Sequence, residues 1–168
     1  GSDPDAALYW LARMLEGGED PRYLARRILR MSIEDIGLAD PNAQANCIKA
    51  WETYERLGSP EGELALAQAV LYLALAPKSN ASYLAYNASR SAAKTSGSAP
   101  PPKHILNAST DLMREQGFGQ GYEYDHDSVD GFSGHNYFPD GFDRPEYYRP
   151  VERGFERDLL KRLQYFDA

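Results

Sequence analysis

The chain has 168 residues, 42% hydrophobic and 26% charged, with a formal net charge of −7 at pH 7. That length fits one domain and argues against a large two-domain enzyme, and the single cysteine, Cys47, excludes an internal disulfide framework and a cysteine-rich zinc site. Residues 1–96 carry 10 basic and 12 acidic groups and residues 97–168 carry 8 and 13, a balance that opposes a broad nucleic-acid footprint.

Taken in chain order, Asp3-Pro4, Asp20-Pro21, Asp40-Pro41 and Ser59-Pro60 each read as an N-cap followed by proline at the first helical position. The side-chain oxygen accepts from a free first-turn N–H, and proline lacks only a donor that would be orphaned anyway. Helices are therefore predicted to start near 4, 21, 41 and 60, and to end at Gly17-Gly18, Gly37, Gly58 and Pro77. Such short links make consecutive helices antiparallel neighbours. Leu64 to Ala76 contains one polar residue, Gln68, so the fourth helix is predicted to be central, with the others packed around it. It is too short for a membrane span, which needs about 20 apolar residues. A fifth helix is predicted after Ser79, with Tyr83, Tyr86 and Ala93 on one face.

Beyond Ser96 the character changes to a short helix around residues 109–117, a Gly-, Pro- and Asp-rich run, and a terminal helix with Phe155, Leu159, Leu160 and Leu163 on one side. Residues 117–168 hold 12 of the 20 aromatics, which points to an ordered wrap, since disordered segments are poor in aromatics. The fold expected is all-α: about five antiparallel helices in residues 1–96, then a long irregular aromatic-rich wrap and a terminal helix, together forming one domain. With no basic, apolar leader, the sequence reads as cytoplasmic.

Several stretches invite chemistry. Gly117-Phe118-Gly119-Gln120-Gly121 follows a predicted helix, whereas phosphate loops open one, and no G-x-x-x-x-G-K-[ST] occurs, so a structural turn is the favoured reading. Asp125-His126-Asp127 suggests a divalent metal, yet only His104 and His135 remain as nitrogen donors, at no ligand spacing. No G-x-S-x-G elbow supports a serine nucleophile. No catalytic, cofactor or metal residue is assigned. Arg22, Arg26 and Arg30, with Arg27 beside them, form a basic stripe that is either a solvated helix face or a contact for an acidic partner or DNA. Lys78, in the link between the fourth and fifth helices, is a further candidate contact.

Six blocks carry a resemblance: residues 32–41 (SIEDIGLADP), 58–83 (GSPEGELALAQAVLYLALAPKSNASY), 102–110 (PKHILNAST), 117–127 (GFGQGYEYDHD), 137–140 (YFPD) and 146–150 (EYYRP). In them the chain resembles the C-terminal region of the RarA (MgsA) family of AAA+ ATPases, which includes the Werner helicase-interacting protein. One departure is Leu106, where the family usually has arginine, so an ionic contact made there is lost. The resemblance implies an excised C-terminal fragment, a clamp-loader-collar-like oligomerisation domain following an ATPase module that would supply ATP and Mg²⁺ binding. It also implies DNA and replication-fork proteins as partners of the whole protein, at stalled forks, in the cytoplasm or on the nucleoid.

Self-association, as a tetramer, is the expectation drawn from the surplus of tail aromatics and this resemblance together. Candidate interface or structural contacts are Phe118, Tyr122, Tyr124, His126, Tyr137, Phe138, Tyr147 and Tyr148. Two rivals stay open: a standalone adaptor binding DNA or a fork protein through the arginine stripe, and a small metal hydrolase using Asp125, His126, Asp127 and His135.

Overall fold

In the computed structural model, which describes residues 1–166, seven α-helices are present and no strand is found among the described residues. They are α1 (Pro4–Glu16), α2 (Pro21–Met31), α3 (Ala43–Leu57), α4 (Glu63–Leu75), α5 (Ala81–Thr95), α6 (Asp111–Glu115) and α7 (Glu156–Phe166). The described residues divide into two units, one built from Gly1–Asn87 with Tyr148–Leu163, the other from Ala88–Tyr147 with residues 164–166.

Two of the four Asp/Ser-Pro signals work as the sequence predicts. Asp3 accepts from the Ala6 N–H at 3.0 Å and Asp20 from the Arg22 N–H at 2.9 Å, each just before a helix that opens on proline. The other two are corrections. Asp40 accepts from the Asn42 N–H, but its second carboxylate oxygen takes the Tyr72 hydroxyl at 2.6 Å, and α3 starts only at Ala43. Ser59 precedes a cis proline and its hydroxyl sits 3.2 Å from that of Tyr54, so it caps nothing and α4 begins at Glu63.

The core of the first unit lies among α2, α3 and α4. Ala25, Ile28, Ala43, Cys47, Ala50, Tyr54, Leu66, Ala69 and Leu73 form one buried cluster. Alanines at 43, 50 and 69 let the helix backbones approach closely, and α1 packs against α4. Burial pushes the Cys47 thiol up from its ordinary range, consistent with a packing residue rather than a nucleophile. Between α2 and α3 the chain tightens into a π turn (Ser32–Ile36) and a 3₁₀ turn (Gly37–Ala39), with Ile36 and Ala39 buried.

Two elements depart from the predicted packing. Helix α4 is not wrapped on all sides: Leu66, Ala69, Leu73 and Ala74 are buried, yet Leu64 and Leu75 are 67% and 69% exposed. In α5 only Ala81 is buried, and the expected face is outward, with Tyr83 and Tyr86 43% and 62% exposed. The unit boundary falls inside this helix, after Asn87.

Candidate interaction surfaces

Helix α2 buries Leu24, Ala25 and Ile28 and turns its arginines outward, as an amphipathic period dictates. Two of the four are already paired. Arg22 forks onto Glu55 with Nε at 2.9 Å from Oε1 and Nη2 at 3.1 Å from Oε2, while the Trp51 Nε1–H also donates to Oε1. The Arg22 fork, then the Trp51 bond, hold the Glu55 carboxyl below its usual range. Arg30 donates to Glu34 at 2.7 Å. Arg26 lies 6.0 Å from the Tyr23 ring centroid and Arg27 is exposed, so the open positive charge of this face is centred on residues 26 and 27.

Lys78 is turned inward. Its ammonium donates to the carbonyls of Leu73, Ala74 and Ala76 at 2.8, 3.1 and 2.5 Å, satisfying the free carbonyls at the end of α4. Burial pulls its pKa down, with Asp35 opposing. All three ammonium hydrogens are committed, which leaves none for a partner.

A group that sequence reasoning missed is Glu156, fully buried at the start of α7. Its Oε2 accepts from the Ser79 hydroxyl and the Val151 N–H, both at 2.8 Å, and its Oε1 from the Tyr148 hydroxyl at 3.2 Å. Burial first, and then Glu156, push the Tyr148 phenol well up. Nearby, the Phe155 N–H donates to the Ala39 carbonyl, and Gly154 passes so close that a Cβ there would lie 2.1 Å from that oxygen. Residues 148–156 are thus a strap pinned to the turns before α3 and α5. Tyr148, a candidate contact by sequence, is held in this clasp.

In the second unit Gly117, Gly119 and Gly121 all take positive φ, of 82°, 72° and 79°. Only glycine adopts this backbone freely, which accounts for the Gly-rich run without a phosphate. Asp125-His126-Asp127 is a 3₁₀ turn, and the Asp125 carboxylate accepts from the Ser133 N–H at 3.0 Å; the Ser133 side chain first, and then this backbone bond, lower its pKa. No three His, Cys, Asp or Glu side chains are placed to hold a metal among the described residues. The aromatics pair locally: Tyr124 with His126, His104 with His135 and Tyr137, and Phe138 with Phe142 and Tyr147. Phe118 is half-buried, whereas Tyr122, Tyr124 and Tyr137 stay 57%, 52% and 50% exposed.

Large exposed apolar groups also lie in the first unit. On α4, Leu64, Gln68, Leu71 and Leu75 follow one another at i, i+4, i+7 and i+11 and share one face, opposite the buried one, at about 100° per residue. On α1, Trp10 is 62% exposed with Tyr9 in edge contact at 5.5 Å. The signal for the α4 face was present in its apolar sequence, broken only by Gln68, which serves two faces rather than one.

A family model described as "MgsA AAA+ ATPase C terminal" matches residues 1–167. The chain belongs to this family. It is 52% identical over 167 residues to the replication-associated recombination protein A of Coxiella burnetii, covering 99% of this chain and 38% of that protein. The Escherichia coli K12 protein of the same name is 46% identical over 166 residues, 98% of this chain and 37% of its own length. A Dictyostelium discoideum protein named ATPase WRNIP1 is 42% identical over 126 residues, covering 75% of this chain and 14% of that protein. The chain thus spans under two-fifths of the bacterial relatives it matches and corresponds to the C-terminal domain of a RarA-type AAA+ ATPase. No described helix is long and apolar enough to cross a membrane.

Proposed function

We propose that this RarA-type domain contributes assembly rather than catalysis, holding ATPase subunits together as a homo-oligomer, most simply a tetramer. The observation that carries the reading is the outward apolar surface of a well-packed helical unit, with Trp10, Leu64 and Leu75 all more than 60% exposed. Contiguous apolar surface of this kind marks interfaces. In the whole protein, the upstream module binds ATP with Mg²⁺ and hydrolyses it, and the assembly acts on DNA with fork proteins in replication-coupled repair, in the cytoplasm. The exposed tyrosines 122, 124 and 137, with His126, Phe118, Phe138 and Tyr147 around them, supply a second contact surface. Helix α2 offers Arg26 and Arg27 to an acidic partner.

Light scattering coupled to size exclusion, at micromolar concentration, tests the reading. A mass of several chains is expected, and a mass that stays at one chain would remove the assembly role. Calorimetry with ATP is expected to show no binding to this chain, and a measurable affinity would assign it a share of the nucleotide chemistry.

A further inference from the structure

We infer that two copies of this chain pair through the outward face of α4, antiparallel across a two-fold axis. The inference rests on the assembly reading and names its contact. Helix α4 is the one whose opposite faces are both apolar: Leu66, Ala69 and Leu73 enter the core, while Leu64, Leu71 and Leu75 look the other way. Helices packed only within one chain turn charged and polar residues to water on such a face. Here the outward stripe has alternating steps of four and three residues, the spacing of a two-helix seam, with Gln68 as its single polar member. A lone polar residue in an apolar seam fixes register at some cost in stability.

Charge selects both the occupant and the direction. The molecule carries −7, so a second copy is repelled by most of its surface, but no charged residue lies between Glu63 and Lys78. A two-fold axis makes the contact self-complementary, each copy offering the same patch. Run antiparallel, the stripe sets Leu64 against Leu75 of the second copy and carries Glu61 and Glu63 to opposite ends of the seam. Run parallel, it would stack Glu61 and Glu63 on their own counterparts. Antiparallel packing also opposes the two helix dipoles. The stripe is about 17 Å long and one helix face wide, so α4 alone covers only part of the roughly 800 Å² a side of a stable interface. Helix α1, which packs against α4, exposes two further apolar groups, Trp10 at 62% and Met14 at 42%.

The test compares the wild-type chain with Leu64→Glu/Leu75→Glu, positions exposed enough for the fold to persist, as circular dichroism would verify. Light scattering is expected to show association weakened by about tenfold or more, the scale of losing central apolar anchors. An oligomeric wild type whose double variant keeps the same mass and dissociation constant would overturn the α4 seam while leaving the assembly reading intact. A monomeric wild type would remove both. Direction is read by mild oxidation of variants that carry one introduced surface cysteine beside the buried Cys47. Leu64→Cys mixed with Leu75→Cys is expected to cross-link, and neither alone. Same-residue cross-links would overturn the antiparallel arrangement.

Discussion

In the first unit the buried residues are mostly aliphatic side chains and alanines, centred on three packed helices, with one buried carboxylate tying a strap to them. In the second, over residues 88–147, Pro102 is the one buried residue among those described, and the backbone turns repeatedly on positive-φ glycines. The first is held by area removed from water, the second by turn geometry and pairs of rings. Loss of one methylene group is felt in a close-packed core, while a turn is sensitive to a single backbone conformation. Perturbations should therefore spread through the first unit and remain local in the second.

The sharpest way to break this contrast lies in the core. Leu66→Ala, at a site 1% exposed, should cost about 2–5 kcal/mol through lost burial and a cavity, read as a lower midpoint in urea. Gly154→Ala should follow at roughly 2–4 kcal/mol, because it combines a positive φ with a Cβ driven into the Ala39 carbonyl and Pro77. An unchanged midpoint would mean that the strap is not fixed on the turn before α3.

The clasp itself is next. Glu156→Ala strands the Ser79 and Tyr148 hydroxyls and the Val151 N–H, at about 1–3 kcal/mol, and Tyr148→Phe removes one bond at about 1 kcal/mol. Tyr148 also gives a pH signature. Its pKa is raised in the folded state, so its contribution is fully present below the unfolded tyrosine value of about 10 and is lost as pH rises above it. Denaturant midpoints across that window should fall less steeply in Tyr148→Phe than in the wild type.

The smallest effect belongs to the second unit. Gly119→Ala, at φ 72°, should cost on the order of 1 kcal/mol and raise amide exchange around residues 103–121 while core amides of α3 and α4 keep their protection. Loosened core amides would erase the contrast.

The sequence is most legible where one residue has one task. Asp3 and Asp20 cap as read, whereas Asp40 and Ser59 do not, because a tyrosine competes for each side chain. Periodicity finds an apolar helix but does not count its faces, so α4 read as central when only part of it is covered. Glu156 was invisible because a glutamate near a helix start ordinarily reads as solvated, and its partners come from residues 79, 148 and 151. The arginine stripe was visible as a pattern, but its partial neutralisation by Glu55 and Glu34 depends on where α3 and the π turn come to lie.

The clasp also orders events in time. Ser79 and Glu156 are separated by 77 residues, so a ribosome adding about 5–20 residues per second delivers the carboxylate roughly 4–15 s after the hydroxyl it binds. Through that interval the nascent chain holds α1 to α4 with the turns at Ala39 and Ser79 unlatched. The first unit is opened by its earliest residues and closed by some of its last, with residues 88–147 of the glycine-rich second unit made in between.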